Sequence, residues 1–478
     1  MWTIATGFGS RVLGLAGTLL LTRFIAPEIY GEVSAASVVV LTAHFATSLG
    51  LGQYIVANPD ADRQTVFNAT IYFTAAGIVA LGVVFLLRVP IAEHLVKAPG
   101  MVQYMPGLAI AVLLERISYI PDRLMIREMR FRSIGIRNTV GELMYTTSSV
   151  GLAVIGWGGN AIVVATLLRA VVRLFLTVPA VSLREWLTPS PLSKEKARVM
   201  LRFGLPMTLG SLANFGAQRW DNLVMIRLFG ERVGGLYTLA WNIADIPASQ
   251  VGERIGDVLV PSFAKLEPER RKAALIRSLT LLSLLISPLA IGLGAVAPTI
   301  LNDTIFNAAW EPAGPLLAVL SALGVTRPVG WVISSYLQVQ ARTRSIMVLE
   351  WLKVLGIVGG IAALGALGGQ LWACAGVGLA FGLHALASLS LVRRLDGIPL
   401  PTLLGPLLGP LLACGPMIAA ILAVRYGVRP FGPLPRGIRL SSEIVVGAIA
   451  FILSALVFAP KAAQDFLRIV KDVLRRRK

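Results

Sequence analysis

Charge is scarce in this chain. Only 14% of its 478 residues are charged, while 55% are hydrophobic. With a mean hydropathy of +0.74, that shortage excludes an ordinary soluble domain and places the chain among polytopic membrane proteins. Acidic residues are scarcer still: 25 Asp+Glu stand against 44 Lys+Arg, a formal charge of +19. In a soluble protein that balance would point to nucleic acid. No nucleic-acid motif is present, and the basic residues gather in short loops between apolar runs, so membrane orientation accounts for them. The two cysteines, Cys374 and Cys414, each lie inside an apolar run. They are read as small core residues and say nothing about redox compartment. A Gly-rich phosphate loop, a paired-Cys metal signature and a Gly-x-Ser-x-Gly nucleophile motif are all missing. Nothing therefore indicates ATP hydrolysis, a metal site, a cofactor or covalent catalysis. A cleaved signal peptide is not expected either, because the first apolar stretch has no basic flank and carries Arg11 inside it.

What the chain does have is apolar runs of the length that crosses a bilayer. By the rule of about 20 residues per crossing, roughly fourteen spans are expected. They run from 3–22 and 34–56, through 204–228 and 235–260, to 403–424 and 441–459. An inside N-terminus puts Arg123, Arg127, Arg130 and Arg132 in one inside loop and Lys265, Arg270, Arg271 and Lys272 in another. The outside loops at 157–160, 298–312 and 366–369 then hold no Lys or Arg. That alternation predicts both termini inside. One outside loop dissents, with Arg425, Arg429, Arg436 and Arg439, and a missed or re-entrant span near it would repair the pattern.

The segment 183–203 carries Pro189, Pro191 and a charged run and is read as a linker. The expected organisation is six spans in 1–183, a cytoplasmic linker at 184–203 and six spans in 204–392. Two more spans follow in 393–460, with a basic tail at 461–478. Lys194–Arg202 is expected to be an amphipathic surface helix. In the tail, Phe466, Leu467, Val470 and Leu474 fall at helical spacing and predict a second one, drawn to anionic lipid. A faint echo separates Phe8-Gly9 and Tyr30 from Phe215-Gly216 and Tyr237. It suggests two related halves with a cavity between them.

The stretch from Asn214 to Pro247 is the least apolar place for two spans joined by a tight loop at 230–235. It contains Arg219, Asp221, Arg227 and Asp245. A charge in hydrocarbon costs about 2.5–3.5 kcal/mol on insertion scales, so such groups face a wet cavity or a partner. Arg11, about 12 Å into the first span, is expected to face a cavity, with snorkelling to the inner surface as the alternative. Arg327, beside Pro328, is expected at a bend facing protein or water. Arg219 and Asp221 are two apart and so reach different helix faces. Asp245, Glu253 and Asp257 are candidate proton or cation sites, with a salt bridge to a nearby arginine as the alternative. Arg169 and Arg173 form a two-residue basic stripe, and Glu350 and Lys353 are spaced to pair on one helix. Glu115, Arg116 and Glu142 are placed near inner ends. His44 and His384 are packing residues or protonation switches. The deep set leans towards arginine, whose fork suits phosphate and pyrophosphate and stays charged. An anionic substrate follows, moved by a gradient or by mass action.

Several short stretches resemble one family. Leu21-Thr22-Arg23-Phe24-Ile25-Ala26-Pro27-Glu28-Ile29-Tyr30-Gly31 resembles the end of the first helix in the polysaccharide transporter (oligosaccharide flippase) family. Arg127 to Arg132, with Phe131-Arg132, resembles that family's basic loop after its fourth span. Asp221-Asn222-Leu223-Val224-Met225-Ile226, then Gly235-Leu236-Tyr237, Ala240 and Pro247, resemble its seventh and eighth spans. The family belongs to the multidrug/oligosaccharidyl-lipid/polysaccharide exporter superfamily. The resemblance implies an all-α polytopic membrane protein with about 14 transmembrane helices: two pseudo-symmetric six-helix lobes around a central cavity, plus two C-terminal helices. It implies a flippase, not an enzyme, that carries undecaprenyl-pyrophosphate-linked oligosaccharide across a bacterial inner membrane by alternating access. A lipid II flippase and a drug/cation antiporter share the fold and stay open as alternatives. On this reading Arg11, Arg219, Arg254 and Arg327 hold the pyrophosphate and glycan, while Asp221, Asp245, Glu253 and His44 are candidates for H⁺ or Na⁺ coupling. Lipid-linked oligosaccharide, membrane lipids, a polysaccharide polymerase and a chain-length regulator are the expected partners, and nucleic acid is not.

Overall fold

A computed structural model describes residues 14, 16–303, 306–427 and 437–475; within them the side chains of 250–251, 253–258, 303, 469–470 and 472–475 are not described. The described chain is helical, and every expected span from the second to the fourteenth is met by a helix. Eight helices among the described residues are long and apolar enough to cross a membrane. The first expected span, 3–22, falls largely outside the described residues, as do Phe8 and Gly9 of the sequence echo.

Backbone contacts divide the chain into two compact units, Met1–Gly235 and Leu236–Lys478. The first unit is built from α1 (Pro27–Ala46), α2 (Leu51–Ala57), α3 (Arg63–Leu86), α4 (Met105–Arg127), α5 (Phe131–Val154), α6 (Gly159–Thr177) and α7 (194–229). Local chemistry sets their starts. Pro27 stands at the first helical position of α1, where its missing N–H costs nothing. Asp62 caps α3 by accepting the Thr65 N–H at 3.0 Å. The Asp62 carboxylate also takes Lys196 Nζ at 2.5 Å. Hydrogen bonds from Lys196 first and Thr65 second pull its pKa down to about 2. Two apolar cores fill the unit, one around Val33, Val40, Met101 and Met105, the other around Leu51, Phe73, Ile120 and Trp186.

The linker helix expected at Lys194–Arg202 is not a separate element. Helix starts at Lys194 and runs on into the seventh span, straight through Gly204 and Pro206. The tight loop expected at 230–235 is also shorter than the sequence implies. Gly230 alone leaves helical geometry, at φ 88° and ψ 172°, and α8 (231–247) starts at the next residue. Only glycine takes such a φ without strain, so one residue suffices for the turn.

The second unit takes up most of α8 and adds α9 (Arg254–Ala264), α10 (Pro268–Asp303), α11 (Ala313–Leu323), α12 (Arg327–Val339), α13 (343–367) and α14 (370–396). Gly368 and Gly369 make the turn between α13 and α14, with Gly369 at φ 78°. α15 (Leu400–Gly427), α16 (Ile438–Phe458) and α17 (Pro460–Arg475) complete it. One core gathers Phe263, Leu279, Ile333, Tyr336 and Leu389; another joins α15 and α16 to α10 through Leu284, Cys414, Met417 and Phe451. α17 starts two residues after α16 ends and is tied to α10 by Arg277, whose Nε and Nη2 each stand 2.7 Å from Asp465.

The dissenting basic loop changes character. α15 extends to Gly427, so Arg425 lies inside a helix and is buried rather than in a loop. Arg429 and Arg436 lie outside the described residues.

Candidate functional site

Arg327 opens α12, one residue before Pro328. Its guanidinium is nearly dry, with the side chain 4% exposed. The plane lies over two aromatic rings, 4.1 Å from the Trp241 centroid and 4.7 Å from that of Phe381. Cation–π contact of this kind, with little water, contributes on the order of 2 kcal/mol. Nη1 donates to Asp245 Oδ1 at 2.7 Å. Nε is buried and has no hydrogen-bond partner among the described residues. Asp245 differs: its side chain is 38% exposed. The pair is therefore half open, a dry arginine held by a carboxylate that water can reach. Burying a cation requires a counter-charge, but that counter-charge can be exchanged for an incoming anion. Arg327 and Asp245, expected to serve anion binding and ion coupling separately, are thus brought together in one ion pair.

One helical turn further on lies a second charged group. Glu350 and Lys353 pair within α13 at 2.5 Å, as their spacing predicts. His384 Nε2 on α14 is 4.0 Å from the other Glu350 oxygen. A small cavity of about 10 Å³ lies beside them, lined by Gly330, Ser334, Glu350, His384 and Ser388 together with four aliphatic side chains.

His44 belongs to the first unit and to a different construction. Arg116 of α4 is 1% exposed. Its Nη1 meets His44 Nδ1 at 3.3 Å and donates to the His44 carbonyl and Thr47 Oγ1 at 3.2 Å each. Nη2 donates to the carbonyls of Thr47 at 3.0 Å and Phe73 at 2.6 Å. Its carbon sits 4.0 Å above the Phe73 ring. Gly77 makes the room: a Cβ there would lie 1.8 Å from Arg116 Nε. His44 Nδ1 faces a guanidinium donor, so it serves as acceptor in a socket that ties α1, α3 and α4 together.

Asp221 is buried on α7 and accepts its neighbour Asn222's N–H at 2.8 Å. Both Arg219 and Asp221 are engaged with further partners. Arg11 lies outside the described residues, and so do the side chains of Glu253, Arg254 and Asp257. Arg169 approaches Glu142 at 3.7 Å and Arg173 approaches Glu115 at 3.5 Å, so the basic stripe of α6 is loosely matched by acids from α5 and α4.

Sequence reasoning missed one buried charge cluster altogether. Glu443 on α16 is fully buried. It accepts from Arg425 Nε and Nη2 at 3.1 and 2.9 Å and from Thr299 Oγ1 at 3.0 and 2.9 Å. Arg425 Nη2 also donates to the Ala295 carbonyl at 2.6 Å. The available signal was an acid at the head of an apolar run, four residues after Arg439. Phe381 also escaped notice, since one aromatic residue in an apolar span carries no signal of its own.

Comparison with known proteins agrees with the architecture. The chain is 26% identical over its full length to the succinoglycan biosynthesis transport protein ExoT of Rhizobium meliloti (strain 1021), covering 95% of that protein. It is also 26% identical to the lipopolysaccharide biosynthesis protein WzxC of Escherichia coli (strain K12), over 77% of this chain and 74% of that one. Among solved structures, the lipid II flippase MurJ in an inward closed conformation superposes with a TM-score of 0.74 at 11% identity, covering 96% of this chain and 99% of MurJ. An inward-facing multidrug resistance MATE family transporter of the MOP superfamily gives 0.61 at 17% identity, covering 81% and 96%. At these identities the structures establish the fold alone: an all-α, multi-pass membrane protein. The polysaccharide biosynthesis protein family matches residues 20–315, more than half of the chain, and the chain belongs to that family.

Proposed function

We propose that this protein is a flippase for a lipid-linked oligosaccharide, the repeat unit of an exopolysaccharide or O-antigen carried on undecaprenyl pyrophosphate. It moves its cargo across a bacterial inner membrane by alternating access, with both termini cytoplasmic. Six-span lobes at 1–183 and 204–392 are joined by 184–203, and 393–460 adds the last two spans. The observation that carries the reading is the half-open pair of Arg327 and Asp245, in a chain similar to a succinoglycan transport protein and to WzxC. The lipid's diphosphate displaces Asp245 and takes the guanidinium edge, including the spare Nε–H. Two parallel N–H···O bonds from one fork match phosphate geometry, which a lysine does not reproduce. Trp241 and Phe381 hold the plane still, so little orientational freedom is lost on binding. The prenyl chain stays in lipid and the glycan in water.

The test is export in the native host. A chromosomal Arg327→Gln substitution should abolish the surface polysaccharide while the protein remains in the membrane at normal level, and Arg327→Lys should restore export in part. Normal polysaccharide from Arg327→Gln would refute the assignment. Rescue of a strain depleted of its lipid II flippase would move the substrate to the peptidoglycan precursor.

A further inference from the structure

We infer that Glu350 and His384 form a proton site, linked through Lys353 and Phe381 to anion binding at Arg327. The inference rests on the diphosphate reading of Arg327. Three helices each supply two residues three apart: Arg327 and Gly330 from α12, Glu350 and Lys353 from α13, Phe381 and His384 from α14. Three residues rise about 4.5 Å along a helix. The six therefore form two layers one turn apart.

The first layer is a row of Arg327, Phe381 and Lys353. The Phe381 ring takes the Arg327 guanidinium at 4.7 Å and the Lys353 ammonium at 6.0 Å, so two cations share one ring. The second layer is Gly330, His384 and Glu350. Gly330 leaves space for the imidazole: a Cβ there would stand 3.0 Å from His384 Cε1 and 3.3 Å from Nδ1. Glu350 bridges the layers, with Oε2 on Lys353 at 2.5 Å and Oε1 facing His384 Nε2 at 4.0 Å. The cavity of about 10 Å³ beside them, lined also by Ile333, Leu337, Ile346 and Leu349, brings Ser334 and Ser388 to the same place and has room for about one water.

The chemistry favours a proton over a metal cation. Lys353 already occupies one oxygen of Glu350, and its ammonium repels a second cation at that carboxylate. Among the described residues no group of three His, Cys, Asp or Glu gathers here or elsewhere. His384 and Glu350 each offer an atom that a proton can occupy. The charged groups facing His384 are Glu350 and Lys353; the neighbouring layer adds Arg327 and, behind it, Asp245.

A proton arriving on Glu350 or His384 cancels or offsets the charge that holds Lys353. The row of Lys353 and Arg327 then carries more uncompensated positive charge, and an anion at Arg327 binds more tightly. Linkage is reciprocal, so the anion raises proton affinity by the same factor. For unit charges about 10 Å apart at an effective dielectric of about 20, that factor is on the order of tenfold. The bound proton also offsets part of the diphosphate's charge, which is costly in a low-dielectric passage.

The test is calorimetric titration of the full-length protein in nanodiscs with inorganic pyrophosphate, in two buffers of different ionisation enthalpy near neutral pH. The buffer difference gives the protons taken up per anion bound. Pyrophosphate's own ionisation is common to all samples and cancels between wild type and variant. Wild type should take up more protons than Glu350→Gln and His384→Gln, both of which still bind. Its affinity should fall up to tenfold more steeply with rising pH. Equal proton uptake with binding retained would overturn the proton site and leave the flippase reading standing. Binding unchanged in Arg327→Gln would instead remove the diphosphate site, and the linkage with it; no binding by wild type would do the same. Two variants at different positions guard against one failing to fold.

Discussion

Removing the carboxylate of Glu443 should unfasten the last two spans from α10. The Glu443 side chain is fully buried and its oxygens are shared by Arg425, Thr299 and, at 3.5 Å, the half-buried Arg439. In Glu443→Ala, Arg425 keeps a buried charge with the Ala295 carbonyl as its remaining named partner. Breaking one side of a buried pair costs about 3–5 kcal/mol, because the other charge stays dry and uncompensated. For a folding unit of 150–250 residues, roughly 2–4 °C of melting midpoint accompanies each kcal/mol. The expected loss is therefore roughly 6–20 °C, read by fluorescence-detected unfolding in one detergent. The double variant Arg425→Met/Glu443→Leu removes both charges at similar volume and should recover most of that loss, since well-packed apolar replacements of buried pairs are often neutral. A single variant melting within a degree of wild type, or a double variant no better than the single, would refute the reasoning.

Three further outcomes follow from other contacts. Gly77→Ala puts a methyl 1.8 Å from Arg116 Nε and should cost about 1–3 kcal/mol by overpacking, seen as a lower melting midpoint and a smaller monodisperse fraction. Asp62→Asn removes a helix cap and an ion pair with Lys196. The Asp62 carboxyl is held below its usual value, at about 2, so its contribution is complete above about pH 4 and disappears as pH falls through 2. The side chain is 57% exposed, which limits the ion-pair part to under about 1 kcal/mol. The gap in melting midpoint between wild type and Asp62→Asn should hold constant from pH 7 to 5; a gap already gone at pH 5 would contradict the assignment. Phe381→Leu should weaken pyrophosphate binding in nanodiscs about twofold to fivefold, the range for one cation–π contact of about 0.5–1 kcal/mol; unchanged binding would mean the ring does not hold the fork.

The spans were legible because each apolar run has bilayer length and the breaks between runs carry glycine, proline or charge. Asp62, Pro27 and Gly369 sit where those breaks place helix ends. Arg425 was misplaced because hydropathy ends a span at the last apolar residue, whereas the helix runs on to Gly427 and carries Arg425 to Glu443. The helix at Lys194–Arg202 was not expected to join the seventh span, yet it runs on through Gly204 and Pro206. Arg116 was illegible as a core residue because most of its partners are backbone carbonyls, which leave no mark in the sequence; only Gly77 hints at the space. Arg327 and Asp245 were singled out for the right reason, deep charge, but they lie 82 positions apart. Nothing in a single sequence shows that they meet, and so each received a role of its own.

The central claim is that the Arg327 fork, released by Asp245, holds the diphosphate of a lipid-linked oligosaccharide. It is tested most directly in proteoliposomes, by the initial rate at which a fluorescent undecaprenyl-pyrophosphate oligosaccharide crosses the bilayer. Arg327→Gln should slow that rate roughly 10- to 150-fold, the range for losing one charge-assisted hydrogen bond of about 1.5–3 kcal/mol. A rate equal to wild type would contradict the account.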